Sequence, residues 1–250
     1  MASAIIVTLG RRGRALSSSG AIAGIVLGTI ATAAGWSWTV LLIALFLSAN
    51  LLSRYQQRRK DAVMGEIIEK GGERDAWQVA ANGGVFALAA VASLAHPSAI
   101  WLPLAAGSIS ASTADTWATE IGTLALLPPK SITSGRPVPP GTSGGVTWLG
   151  TAAALAGSAY IAFLVLLVGW GMRAAGAAIV GGLAGSLVDS IVGATVQRRR
   201  WCSRCEKATE RAVHRCGTIT TPAGGIQWID NDAVNAIATI TGAVAGLLSS

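Results

Sequence analysis

Three groups of residues in this chain have the types and spacing to do chemistry. The first is a set of acids placed where acids are costly: Asp115 and Glu120 lie toward the end of one apolar segment, Asp189 near the far end of another, and Asp230 and Asp232 at the opening of a third. A carboxylate left without a partner in hydrocarbon costs at least about 2.5–3.5 kcal/mol, so Asp115 and Asp189 are expected to face a polar cavity, a partner or a metal. Hard oxygen donors of this kind suit Mg2+, which is commonly held by one or two carboxylates together with substrate phosphates. Catalytic roles are expected of Asp115, Asp189 and Glu120. Mg2+ ligation is expected of Asp115, Asp189 and Asp232 with Asn231 and Asn235, and Asn82, Thr116 and Asp230 add polar groups at the same level. Glu120 and Asp230 read equally well as acids paired with loop arginines.

The second group is a Pro/Gly/Ser/Thr loop over residues 127–145 that carries Lys130, Arg136 and the run Gly141-Thr142-Ser143-Gly144-Gly145. Glycines leave backbone amides open to close approach and neighbouring hydroxyls add donors, the composition of an anion-binding nest. Lys130 and Arg136 would neutralise phosphates beside it. A metal with oriented amides is the general equipment of phosphoryl transfer, where positioning and electrostatics supply nearly all the catalysis. The plain alternative for this loop is an interfacial turn.

The third group is Cys202-x2-Cys205 followed by His214-x-Cys216, four candidate ligands within fifteen residues. Three cysteines cannot close a set of disulfides, and the spacing predicts a Zn2+ site in a reducing compartment. Four protein ligands leave no open position, which makes the zinc structural. The alternative is three free thiols.

Acids, loop and cysteines must be positioned by a membrane framework. The chain has 250 residues, 52% of them hydrophobic and only 12% charged, with a mean hydropathy of +0.54. Soluble domains carry about 25% charge, so this is a membrane composition. Apolar segments at about 17–35, 37–52, 78–95, 99–124, 146–169, 174–196 and 233–248 predict an all-α, polytopic helical bundle forming one transmembrane domain over 1–250. About seven spans are expected, with six to eight open. The short first apolar stretch, Ala4 to Leu9, predicts no cleaved signal peptide.

The net charge of +7 and pI near 10.0 come from basic blocks between apolar runs, so they are topological and point away from nucleic acid. The positive-inside rule places residues 10–16, 53–77, 127–145 and 197–228 in the cytoplasm and the turns near 36, 96–97 and 171 outside. Residues 53–77 are expected to be a cytoplasmic loop with a short amphipathic surface helix. The run Gly181 to Ser186 is expected to be a packing face, and Trp36, Trp38, Trp101 and Trp148 interfacial anchors. In this arrangement Asp115, Glu120, Gly141–Gly145, Asp189 and 230–235 all fall on one side of the membrane.

The strings ADTWATEIG (114–122), PGTSGGVTWLG (140–150), GSLVDSIVGATVQ (185–197) and NDAVN (231–235) resemble the multi-pass membrane family that includes the plant phytyl-phosphate kinase and uncharacterised transmembrane proteins of bacteria, archaea and animals. The resemblance runs from about residue 17 onward. It implies CTP-dependent phosphorylation of an isoprenoid (prenyl or phytyl) monophosphate to the diphosphate; with the basic loops, the expected place is a cell membrane with the active site facing the cytoplasm.

The prenyl-phosphate lipid and a nucleoside triphosphate are then the expected partners, and a homodimer is left open. A weaker likeness runs to the CDP-diacylglycerol synthase and dolichol kinase group, with Asp115-Thr116, Gly122, Pro129 to Ser134 and Gly141 to Gly145 in the matching places. The Lys-Thr-x-Glu-Gly of the synthases has no counterpart at 141–145, which favours kinase chemistry over the alternative of cytidylyl transfer. A cation- or proton-coupled transporter is the alternative from another class.

Overall fold

The computed structural model describes residues 15–64, Ile67 and 72–250. The basic residues Arg11, Arg12 and Arg14, the Ala4 to Leu9 stretch, and part of the 53–77 loop including Lys70 lie outside the described residues. Each apolar segment forms one helix: α1 (Ser18–Ala34), α2 (Trp36–Arg54), α4 (Ala76–Ala95), α5 (Trp101–Gly122), α6 (Trp148–Leu167), α7 (Gly171–Thr195) and α8 (Asn231–Leu248). The basic loop after α2 contains the short α3 (Gln57–Met64).

Four of these, α2, α4, α6 and α7, are long and apolar enough to cross a membrane by themselves; α1 is apolar but has 17 residues. The 22-residue α5 is less apolar for a physical reason. It is the central helix, packed against α2, α4, α6, α7 and α8, so its middle can be polar without meeting lipid. Ser108, Ser110, Ser112 and Thr113 there are all buried.

The helices leave the cap signals that the sequence carries. Ser17, Asp75, Thr147 and Asp230 accept hydrogen bonds from the amides of Gly20, Gln78, Gly150 and Ala233, and Asp75 closes a capping box with Gln78. These four capped N-termini all lie at one end of the bundle, where α2, α5 and α7 finish.

Close approach of α5, α7 and α8 depends on glycine. A Cβ at Gly181 would collide with Gly107 and with the Gly242 carbonyl, so three backbones meet at one level. The apolar core beyond that level contains Trp38, Leu41, Phe86, Ile109, Ile161 and Val165. Trp38 belongs to it and is not an interfacial anchor: it is 4% exposed, with ring centroids 5.2 Å from Phe86 and 4.8 Å from Trp170. It sits on the α2 face that meets the bundle, whereas Trp36 and Trp148 are exposed.

The loops are not wholly irregular, which the all-helical expectation missed. A two-stranded sheet pairs β1 (Lys130–Ser131) with β2 (Gly145–Val146), and a three-stranded sheet of order β4-β3-β5 joins β3 (Arg199–Cys202), β4 (Lys207–Thr209) and β5 (Thr221–Gly224). Strands this short carry no hydrophobic periodicity.

Candidate functional site

The capped end of the bundle opens into a cleft of about 1320 Å³. Its acids arise from the register of α5 on α7, which run parallel toward this end. Gly107 lies against Gly181, and one turn on Ala111 lies against Gly185. A further turn on, the side chains are Asp115 and Asp189, and the small residues beneath bring these two carboxyls into hydrogen-bonding contact. Two carboxyls this close cannot both stay charged without a proton or a cation between them. Asp189 Oδ2 is buried and has no hydrogen-bond partner, and Glu210 contributes a third negative charge nearby.

The Gly141–Gly145 segment forms one wall of the cleft. Gly144 has φ +75° and lies hard against α7, where any Cβ would strike Ala194 and the Ser190 carbonyl. This docking seats the loop beside Asp189. Two of its amides are spent within the loop: Thr142 N–H donates to Pro139 O at 3.1 Å and Gly145 N–H to Thr142 O at 2.9 Å. Ser143 Oγ donates to Glu210 Oε1 at 2.5 Å, and Gln197 Nε2 donates to the same oxygen at 2.9 Å. Glu210 follows β4 directly and ties the three-stranded sheet to the loop, a role with no motif to announce it.

The positive charge of the cleft comes from Arg54, Arg59, Lys60 and Arg74 on one side and Arg211 and Arg215 on the other. These lie in the two basic loops whose charge the sequence explains by topology alone. Arg74 is fixed by Asn50 Oδ1 and Ser53 Oγ, each accepting at 3.2 Å.

The family described as integral membrane protein DUF92 matches residues 1–243. The chain belongs to the DUF92 family. It is 30% identical to Protein PGR of Arabidopsis thaliana, over 95% of this chain and 90% of that protein. It is also 30% identical to an uncharacterized membrane protein of Methanocaldococcus jannaschii, over 98% of this chain and 90% of the relative. An uncharacterized membrane protein of Synechocystis is 31% identical over 87% of this chain and 76% of its own length. No solved structure matches the chain.

In this DUF92 protein the cleft gathers Asp115, Thr116, Glu120, Asp189, Asn82, Asn231, Asn235 and Gly141 to Gly145. Glu120 lines the cleft but is already engaged by protein partners. It forms an ion pair with Lys60 and accepts a hydrogen bond from Ser53 Oγ at 2.5 Å. Lys60, 4% exposed, also donates to Leu52 O and Ser53 O, so the α2–α3 turn is latched onto α5.

Lys130 and Arg136 are exposed on the loop and do not line the cleft. The Lys130 backbone is held by its pairing with Val146 and Pro137, and the side chain is in solvent. Asp230 and Asp232 are also absent from the wall. Asp230 is the N-cap of α8, and Asp232 is buried in the first turn, where the helix dipole favours a carboxylate.

The Cys/His set has the geometry to hold a metal. One ligand atom from each of Cys202, Cys205, His214 and Cys216 lies within 4.8 Å of all the others. Cys202 and Cys216 sulfurs are 3.6 Å apart and His214 Nδ1 is 3.3 Å from Cys216 Sγ. A tetrahedral site with metal–sulfur bonds near 2.3 Å has ligand separations of about 3.8 Å, close to these values. Two tight turns supply the ligands, one joining β3 to β4 and the other closed by the Val213↔Ile219 bridge.

Proposed function

We propose that this DUF92 protein crosses the membrane seven times and is a membrane-embedded phosphotransferase. It transfers a phosphoryl group from a nucleoside triphosphate, CTP by the family resemblance, to an isoprenoid monophosphate. The observation that carries this reading is the convergence in one cleft of the Asp115–Asp189 carboxyl pair, the Gly144 loop docked beside it and six basic side chains.

The residues suit a catalytic Mg2+ of the kind held by two carboxylates and substrate phosphates. Asp189 Oδ2 is a buried oxygen in need of a partner. Asp115 and Asp189 would hold the ion, with Asn231 and Asn235, which also line the cleft, as neutral oxygen donors. When bound, Mg2+ supplies neutralisation of the phosphate charge that develops during transfer. The chain's own work is positional: Arg74, Arg211 and Arg215 draw the phosphates into the cleft, and the loop fixed by Glu210 closes one wall over them. Four helix N-termini at this end add partial positive charge. The Cys/His set is read as a structural Zn2+ site that folds the three-stranded sheet.

The test is product analysis. Purified protein in detergent is incubated with each nucleoside triphosphate and a panel of prenyl monophosphates. CDP together with the prenyl diphosphate is expected. Release of pyrophosphate would assign a cytidylyltransferase instead, and no product from any pairing would overturn the phosphotransferase reading.

A further inference from the structure

A second cavity, of about 120 Å³, lies between α1, α2 and α4. Its walls are mostly apolar and include Leu27, Leu42, Ile43, Leu45, Phe46 and Val79. Four residues, Arg74, Gln78, Asn82 and Thr116, line both this slot and the polar cleft. The slot is therefore hydrocarbon-like along the helices and polar where it meets the cleft.

We propose that this slot receives the tail of a single-chain lipid phosphate whose head group lies in the cleft at Arg74. The inference rests on the phosphotransferase reading of the cleft and adds where the acceptor lipid sits. Three features argue for it. First, the slot is deep for its volume: its wall on α2 runs from Thr39 to Ala49, about 15 Å at 1.5 Å per residue. A slot this narrow has no room for two chains, and one chain lies within it only in part. Second, glycines line it on two helices: Gly24 and Gly28 on α1 and Gly83 on α4, where the missing Cβ leaves room for Leu27 to pack.

Third, the guanidinium at the junction is built in. Arg74 is held by Asn50 and Ser53, and its backbone pairs with the Ala15–Ser17 segment, Arg74 N–H donating to Ala15 O and Ser17 N–H to Arg74 O, each at 3.0 Å. An amphiphile lying with its chain among Leu42 and Phe46 and its anionic head at Arg74 is presented at the mouth of the cleft that holds Asp115. A bulk acyl chain in the same groove has no head group to match that charge.

The experiment uses the full chain in detergent micelles and a geranylgeranyl monophosphate analogue with a diazirine at the tail end. Crosslinks mapped by mass spectrometry are expected on slot residues of α1 and α2, and to fall at least tenfold in Leu42→Trp and in Gly24→Leu, two variants that fill the slot from different helices. In parallel, turnover of geranylgeranyl monophosphate is compared with that of dimethylallyl monophosphate, whose tail is one isoprene unit. The long-to-short ratio is expected to fall at least tenfold in the same variants.

Crosslinks spread evenly over lipid-facing residues such as Leu155 and Phe163, or equal labelling of the slot by a photoreactive diacyl phosphatidic acid, would overturn the proposal. So would an unchanged ratio in folded variants. If wild-type protein turns over neither monophosphate while the label still maps to the slot, the phosphotransferase reading fails and the lipid-phosphate site stands.

Discussion

Asp115 and Glu120 lie five residues apart on one helix, about 1.4 turns, so they leave it in different directions and their surroundings give them different work. Asp115 meets another carboxyl across a glycine-lined helix contact, whereas Glu120 meets Lys60. Replacing Asp115 or Asp189 by Asn keeps the shape and removes the charge, so a roughly hundredfold or greater loss of transfer is expected, because metal-bound transition-state contacts are worth several kcal/mol. Insertion and thermal stability should persist, since neutralising an acid in a spanning helix eases its burial.

Glu120→Gln should behave in the opposite way. It strands Lys60, a buried cation, at a cost of about 3–5 kcal/mol, while turnover per folded molecule is kept. Denaturation in detergent would show this, and Lys60→Met combined with Glu120→Gln should recover much of the loss. Full turnover in both Asp variants would remove those carboxyls from the chemistry. Asp115 and Asp189 were legible in the sequence because a charge in an apolar run is anomalous by itself. The Glu120 partner was not, because it depends on how α3 folds back.

At the scale of elements, the helices and their ends followed from apolar run length and from Ser17, Asp75, Thr147 and Asp230 as caps. What spacing does not reveal is register between helices, here set by Gly107, Gly181 and Gly185, and the path of short strands. The composition of the 127–145 loop suggested Lys130 and Arg136 as its working groups; its backbone instead turns Gly144 onto α7 and leaves those side chains in solvent.

Two substitutions separate the docking of the loop from its conformation. Gly135, φ +67°, has open space around it, so Gly135→Ala should cost only the left-handed penalty of about 1–2 kcal/mol locally, with activity retained. Gly144→Ala adds a collision with α7 and should displace the loop wall, with a loss of activity larger than any loss of stability. Equal effects would detach the loop from the site.

The Cys/His turns form a second element-scale test. Purified protein is expected to carry one zinc per chain, lost in Cys202→Ser with a fall in melting temperature. Hydrogen bonding with Thr218 and His214 pulls the Cys216 thiol down to about 5. Its neighbours push the Cys205 thiol the other way, up to about 11, so bound zinc must displace that proton, and zinc should be retained at pH 7 and released on acidification. Folded protein with no zinc at neutral pH would end the claim.

Over the whole molecule, charge and architecture point the same way. The cleft, α3, the Gly144 loop and the three-stranded sheet all lie at the end where α1, α4, α6 and α8 begin. From that end α4 runs twenty residues, about 30 Å, to His96. The turns at Gly35, at His96-Pro97 and at Gly169–Gly171 therefore fall at the opposite end. Among the described residues Arg173 is the one Lys or Arg there, and the remaining bases border the cleft end. By the positive-inside rule the cleft is predicted to face the cytoplasm, the side on which the proposed transfer would find nucleoside triphosphates.

The prediction is read by single-cysteine labelling in intact cells, in a background with the native cysteines replaced if that background keeps zinc-independent folding, or otherwise by a reporter fused after Ser250. Position 96 should react with an impermeant reagent from outside, whereas positions 56 and 226 should react only after permeabilisation. A fusion after Ser250, at the end of α8 away from the cleft, should report the outside. Labelling of position 96 only after permeabilisation would invert the molecule, strand the triphosphate site outside the cell and leave the basic loops on the side the membrane disfavours.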